Sequence, residues 1–112
     1  MDIRRITSDF SVTGQILPRE MPAICALGFR TVICNRPDGE AADQPLFSEI
    51  AEVAKDCGIK SVYIPVSGQL GLQPGDVAAL KQAWADLPKP VLAFCRSGAR
   101  STAVFDAAVG QN

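Results

Sequence analysis

The sequence contains no histidine, and its 112 residues include only one tryptophan and one tyrosine. Without imidazole, the zinc ligand sets that contain histidine are missing, and the four cysteines, at positions 25, 34, 57 and 95, form no C-x-x-C pair of the kind that zinc sites use. The sequence therefore predicts no metal site and no cofactor. Reduced thiols fit this spacing better than a framework of disulfides.

A strong charge of one sign and long apolar runs are also missing. Eleven basic and twelve acidic residues give a net charge of −1, which excludes the basic surface that nucleic acid or anionic lipid would require. No apolar run approaches the ~20 residues of a membrane span, and no apolar segment follows Arg4 and Arg5 as in a secretory signal. We expect a cytoplasmic protein with no nucleic-acid or membrane partner. At 47% hydrophobic residues, residues 1–112 are expected to form a single domain.

Strand-like and helix-like segments alternate along the chain. The predicted strands are 10–13, 30–35, 61–66 and 91–94. Two predicted helices span residues 18–27 and 45–57, and a last helix runs from about residue 100 to 109. Between the last two strands, a further predicted helix carries Val77, Leu80, Trp84 and Leu87 on one face. This alternation predicts an α/β three-layer sandwich, with a mostly parallel sheet of four to five strands flanked by helices. In such sheets ligands bind beyond the carboxyl ends of the strands. The loops after Cys34, Val66 and Phe94 should therefore share one edge, which is the predicted active site.

The segment from Cys95 to Ser101, called the Cys95 loop below, is the most informative part of the sequence. It follows an apolar strand and precedes a predicted helix, so backbone amides and the helix N-terminus should favour a negative charge on the thiol. A thiolate is a strong nucleophile, and an arginine fork holds an anionic group well. We therefore predict Cys95 as the catalytic residue and Arg100 as its anion-binding partner. A buried structural thiol would explain Cys95 alone, but not the spacing to Arg100.

The other residues of the Cys95 loop are expected to line an anion site: Arg96, Ser97, Gly98, Ala99 and Ser101. Arg96 either adds positive potential or extends into solvent. Ser97 and Ser101 carry hydroxyl groups that could bond a sulfur or an oxyanion, although Ser101 fits an ordinary first-turn helix position equally well. Arg36, on the loop after the second strand, is a candidate for a second anion contact.

Three further side chains are predicted near this edge. Asp38 is the candidate catalytic acid, with Glu40 as the alternative, although Pro-Asp-Gly is also an ordinary turn sequence. Cys34 ends a strand expected beside the Cys95 strand and is either a core residue or a resolving thiol for an oxidised or persulfidated Cys95. Cys25 and Cys57 lie on apolar helix faces and are interpreted as packing residues.

Several motifs together resemble one family. They are Val12-Thr13-Gly14-Gln15, the run from Ile33 to Glu40, Gln44-Pro45, Ile64-Pro65-Val66 and the Cys95 loop. Over nearly the whole chain they resemble the phosphatase-like domain of the β-lactamase-hydrolase-like proteins. The resemblance implies a fold similar to dual-specificity phosphatases, found alone or fused to a metallo-β-lactamase-type persulfide dioxygenase domain. It also implies either phosphatase or rhodanese-type sulfurtransferase activity.

The chain departs from the usual phosphatase pattern in three ways. The phosphatase loop has five residues between cysteine and arginine and a histidine before the cysteine, whereas this chain has four residues there and Phe94. The general acid of dual-specificity phosphatases lies about thirty residues upstream, where residues 64–69 contain no carboxylate. Sulfite or a thiolate leaves without a strong acid. These differences favour a sulfurtransferase with a persulfide on Cys95.

Two alternatives remain open at this stage. A cysteine-dependent phosphatase would use the same residues, and a non-catalytic domain would sense persulfide or dock to a persulfide dioxygenase. The expected substrate is a small anionic compound: thiosulfate, a persulfide or a phosphate. A persulfide dioxygenase of the metallo-β-lactamase type is the expected protein partner.

Overall fold

The computed structural model describes residues 1–110. The five strands are β1 (Arg4–Thr7), β2 (Phe10–Thr13), β3 (Thr31–Cys34), β4 (Lys60–Tyr63) and β5 (Val91–Phe94). The four helices are α1 (Met21–Ala26), α2 (Phe47–Asp56), α3 (Pro74–Trp84) and α4 (Ala99–Ala108), and a short 3-10 turn over Pro18–Glu20 precedes α1.

The strands form one sheet in the order β1-β2-β5-β3-β4. Strand β5 lies at the centre, parallel to β2 and β3; β4 is parallel to β3, and only β1 runs antiparallel, along β2. The prediction of a mostly parallel sheet is therefore confirmed. Successive residues of β5 face opposite sides of the sheet: Val91 and Ala93 pack in one apolar cluster, Leu92 and Phe94 in the other.

The helices cover both faces of the sheet, which confirms the three-layer sandwich. Helices α3 and α4 cover one face, where Phe10 stacks on Phe105 with ring centroids 3.9 Å apart and Trp84 meets both rings edge-on. Helices α1 and α2 cover the other, around Ile24 and Ile50. Each sheet face is apolar, so each requires a covering layer.

The structure differs from the sequence-based expectations mainly at the edges of the sheet. Strand β1 was not predicted, because Arg4 and Arg5 are exposed on the outermost strand and show no apolar alternation. Strand β4 ends at Tyr63 rather than at residue 66, since Pro65 has no amide hydrogen to donate. The chain nevertheless continues along β3, because the amides of Ile64 and Val66 donate to carbonyls of the β3 exit.

The helix boundaries differ less. Helix α1 begins at Met21 after the 3-10 turn, and α3 ends at Trp84, so Leu87 is buried beyond the end of its predicted helix. Within residues 1–110, no helix is long and apolar enough to span a membrane.

Candidate active site

The loops after β3, β4 and β5 meet at the carboxyl edge of the sheet. Phe94 pairs with Cys34 of β3 and with Thr13 of β2, so these strands end at the same level. The segments after β3, β4 and β5 line a cavity of about 710 Å³. The lining residues are 36–41, 67–69, Arg96 and Arg100. The topology thus brings the predicted candidates to one place.

The Cys95 sulfur is buried among backbone amides, and the next residue, Arg96, lines the cavity. Cys95 is 1% exposed, and the amide of Gly98 donates to its Sγ at 3.1 Å. Burial of the sulfur opposes its ionisation, but hydrogen bonds from the backbone at Ser101, Ser97, Gly98 and Arg100 outweigh this effect and lower the pKa of Cys95 below its ordinary value. The thiol is therefore poised to react as a thiolate.

Two glycines allow the Cys95 loop to pack closely on the end of β2. Gly98 has φ of 95°, and a Cβ there would lie 2.8 Å from the guanidinium of Arg4. A Cβ on Gly14 would lie 2.9 Å from the carbonyl oxygen of Arg96. The positive φ requires glycine at position 98, and the close approach to a backbone oxygen requires it at position 14. The loop is consequently held against β2 on one side and against α4 on the other.

Arg100 is fixed by three hydrogen bonds. Its Nη1 donates to Glu40 Oε2 at 2.7 Å and to the carbonyl of Val66 at 2.8 Å, and its Nη2 donates to Glu40 Oε1 at 2.9 Å. A guanidinium has five N–H donors; those left are Nε–H and one Nη2–H, which lie along one edge. Cys95 is close enough to the guanidinium to interact with it electrostatically. The free edge of the guanidinium is therefore suited to an oxyanion.

Glu40 links Arg100 to a second arginine. Arg36 is buried and donates from Nε to Glu40 Oε1 at 3.0 Å and from Nη1 to Gln15 Oε1 at 3.0 Å. The hydrogen bond from Arg100, and then that from Arg36, lower the pKa of Glu40 from 4.5 to about 2. These contacts therefore contribute stability above about pH 4.5 that is lost as the pH falls towards 2.

This network changes the interpretation of Glu40 and Arg36. An ionised carboxylate has no proton to donate, so these contacts do not support Glu40 as the acid, and that role stays a prediction. Glu40 instead positions Arg100. Arg36 lines the cavity, but its guanidinium holds Glu40 and Gln15. Sequence reasoning missed Gln15, for which only its place in the Val12–Gln15 motif was a signal.

Asp38 also lines the cavity, but its carboxylate is engaged at a helix end. Its Oδ1 accepts a hydrogen bond from the amide of Phe47 at 2.8 Å, at the start of α2, and its own amide donates to the Tyr63 hydroxyl at 2.9 Å. Such contacts are typical of a structural turn. A catalytic role for Asp38 stays a prediction.

Cys34 lies beside the site as a buried free thiol. Its Sγ donates to the carbonyl of Arg36 at 3.2 Å, and burial raises its pKa to about 12. A thiol held in this protonated state is a poor nucleophile. The resolving role assigned to Cys34 stays a prediction, and packing accounts for what is observed.

The remaining residues of the Cys95 loop divide by exposure. Arg96, Ser97 and Ala99 are exposed, and the Ser97 hydroxyl accepts from the amide of Ala99 at 3.4 Å. Ser101 is fully buried, and its hydroxyl has no hydrogen-bond partner within residues 1–110.

Asn35, on the loop after β3, was missed by sequence reasoning. Its buried side-chain oxygen likewise has no partner within residues 1–110, while its Nδ2 donates to the carbonyl oxygen of Ile64. Within the same part of the chain, no cluster of metal-ligating side chains occurs.

The reactivity of the Cys95 thiol can be measured directly. We expect alkylation of Cys95 by iodoacetamide, followed by peptide mass spectrometry, to show an inflection below the ordinary thiol pKa of about 8.5. Glutathione in the same solution serves as the reference thiol. If both inflections coincide, the amides of the Cys95 loop do not activate the sulfur.

Cys95 lies between the central parallel strand β5 and the N-terminus of α4, and Arg100 ends its loop. This arrangement places the protein in the class of cysteine-dependent phosphatase-like folds. A family model described as "Beta-lactamase hydrolase-like protein, phosphatase-like domain" matches residues 2–112. The chain belongs to this family, which confirms the resemblance found in the sequence.

Individual relatives agree with this assignment. The chain is 33% identical over 101 residues to a β-lactamase hydrolase-like protein of Agrobacterium fabrum, covering 90% of this chain and 23% of the relative, and 30% identical over 105 residues to one of Xylella fastidiosa, covering 94% and 24%. It therefore spans about a quarter of the length of these curated relatives.

Solved structures show the same fold. A phosphatase candidate from Neisseria meningitidis matches with a TM-score of 0.84 and 31% identity, covering 94% of this chain and 74% of that one. Kinase-associated phosphatase matches with a TM-score of 0.76 at 12% identity, covering 96% and 72%, and so supports the fold alone. The expected similarity to phosphatase folds is confirmed.

Proposed function

We propose that this domain is a cysteine-dependent hydrolase of phosphatase type that acts on small anionic esters. The observation that carries the proposal is the structure of the Cys95 loop: backbone amides surround the Cys95 sulfur and lower its pKa, and Arg100 at the end of the loop is fixed by three hydrogen bonds with two N–H donors left over. The phosphatase-like family and fold support this reading better than sulfur transfer, the reading that the sequence alone favoured, for which the relatives offer no support.

The proposed reaction has two steps. The Cys95 thiolate attacks phosphorus, so that an S–P bond forms while the ester P–O bond breaks, and the departing oxygen takes a proton. Water then cleaves the S–P bond, releasing inorganic phosphate and restoring the thiolate. Amides of the Cys95 loop and the Arg100 edge stabilise the negative charge on the transferred group.

The supply of the leaving-group proton limits the substrate. Glu40 is ionised, residues 64–69 contain no carboxylate, and Asp38 is the one predicted acid that remains. Esters of acidic phenols leave without much protonation, whereas alkyl esters need it. We therefore expect aryl phosphates to react faster than alkyl phosphates, and Asp38→Asn to slow alkyl esters more than aryl esters.

Sulfur transfer is the second candidate. Four residues separate Cys95 from Arg100, one fewer than in the phosphatase loop, so the cradle offers one amide fewer to a tetrahedral dianion. In this reaction the thiolate attacks the outer sulfur of thiosulfate, an S–S bond forms on Cys95 and sulfite leaves with the electron pair of the broken S–S bond. Sulfite needs no acid. A docking or persulfide-sensing role beside a persulfide dioxygenase would leave both activities undetectable.

A direct comparison separates the two chemistries. We expect kcat/KM for p-nitrophenyl phosphate hydrolysis to exceed that for thiosulfate:cyanide sulfur transfer by at least a factor of about ten, which is roughly 1.4 kcal/mol in transition-state stabilisation. The same preparation is analysed by mass spectrometry for a +32 Da adduct, about the mass of one sulfur atom, on Cys95. Faster sulfur transfer together with that adduct would reverse the order of the two candidates.

A further inference from the structure

Two thiols outside the active site lie in contact. Cys25 is exposed in the last turn of α1, and Cys57 is half-buried directly after α2. The Sγ of Cys25 donates to the carbonyl oxygen of Cys57 at 3.4 Å, and the two thiols are close enough to interact electrostatically. From the sequence alone, packing is the role expected for both cysteines. Cys57 does pack against the apolar cluster around Ile24 and Ile50, but packing does not account for the exposure of Cys25 or for its contact with Cys57.

The topology explains why residues so distant in sequence meet. After Cys25 the chain turns at Gly28 into β3, and after Cys57 it turns at Gly58 into β4. Strands β3 and β4 are parallel neighbours, with Thr31 opposite Lys60. The ends of the two preceding helices must therefore converge at the amino edge of the sheet.

This position separates the pair from the candidate active site. Cys95 follows the carboxyl end of β5, so the full length of the four-residue strands lies between the two sites, roughly 13 Å at about 3.3 Å per residue. The pair cannot bond directly to a group on Cys95. Any chemistry at Cys25 and Cys57 is consequently independent of the proposed catalytic reaction.

We propose that Cys25 and Cys57 form a reversible disulfide, a modification site that joins α1 to α2. The oxidant is a low-molecular-weight disulfide such as oxidised glutathione. One thiolate attacks that disulfide, forming a mixed disulfide and releasing one glutathione; the other thiolate then attacks the mixed disulfide and releases the second. The two cysteine sulfurs lose two electrons and two protons in total, and the glutathione disulfide is reduced to two thiols.

The surroundings set the conditions for this exchange. Desolvation, and then the neighbouring Cys25 and Asp56, raise the pKa of Cys57 above its ordinary value. Because the thiolate is the attacking form, exchange should become faster as the pH rises. Cys34, which is buried, serves as an internal control for unfolding.

The test uses the whole chain in glutathione buffers of increasing oxidised fraction, with acid quenching and peptide mapping under non-reducing conditions. We expect one intramolecular bond, about 2 Da lighter than the dithiol, between Cys25 and Cys57 while Cys34 remains a thiol. Cys25→Ser and Cys57→Ser should each abolish it and leave the remaining thiol with one glutathione. Separate glutathione adducts on both cysteines of the wild-type chain, or two free thiols under conditions that modify Cys95, would refute the proposal.

Thermal unfolding gives an independent readout. The bond would close a loop of about 30 residues, so the oxidised form should melt roughly 10 °C or more above the reduced form. Cys25→Ser should melt at the same temperature in both buffers. An unchanged or lower melting temperature of the bonded wild-type chain would mean that the helices are distorted to bring the sulfurs together, which contradicts a preformed pair.

Discussion

Replacing Cys95 by serine is expected to lower kcat/KM at least about a thousandfold for both p-nitrophenyl phosphate and thiosulfate, or about 4 kcal/mol in transition-state stabilisation. The amides around the sulfur lower the pKa of the Cys95 thiol below its ordinary value and so favour the negative charge. A serine hydroxyl ionises at far higher pH than a thiol. Steady-state rates measured with both substrates on one preparation provide the test.

Cys25→Ser is the matched control for this substitution. It makes the same atomic change at an exposed thiol on the opposite edge of the sheet, so its kcat/KM should remain within about twofold of wild type under reducing conditions. Because serine is nearly isosteric with cysteine, both variants should keep their circular dichroism and melting behaviour. A Cys95→Ser protein that retained more than a tenth of the wild-type rate would remove Cys95 from the mechanism.

The central part of the fold could be predicted because its pattern is local. Strand β5 is a continuous apolar run, bounded by prolines on one side and the Cys95 loop on the other, and residues 91–94 were placed correctly. Strand β1 gave no such signal, since an edge strand needs no apolar face. A strand could therefore be predicted from the sequence where its side chains are buried, as in β5, and not where they are exposed, as in β1.

The candidate site shows the same division between local and distant contacts. Cys95 and Arg100 share one loop, so their proximity follows from the sequence. By contrast, Glu40 and Arg100 are 60 positions apart in the sequence, and Cys25 and Cys57 are 32 positions apart. Residue type alone cannot reveal such pairs, because any exposed carboxylate suits any arginine. Only the register of the sheet brings these residues together.

The arginine variant is expected to have the second-largest effect. Arg100→Lys should lower kcat/KM about a hundredfold for both substrates, or roughly 2.7 kcal/mol. Arg100 binds Glu40 with two nitrogens and the Val66 carbonyl with one, and still presents a two-donor edge to an anion. A lysine ammonium has three donors on one atom, so it cannot hold Glu40 and also provide a planar fork.

This loss should be separable from any effect on the nucleophile. The hydrogen bonds that lower the pKa of Cys95 come from the backbone at Ser101, Ser97, Gly98 and Arg100, and the backbone persists in Arg100→Lys. The alkylation inflection of Cys95 should therefore stay below the ordinary thiol value while catalysis falls. The matched control is Arg30→Lys, an exposed residue at the amino edge of β3, which should keep wild-type rates. Wild-type rates in Arg100→Lys would show that the guanidinium serves only to hold Glu40. A return of the Cys95 alkylation inflection to the ordinary thiol value would show that the guanidinium acts on the sulfur rather than on the bound anion.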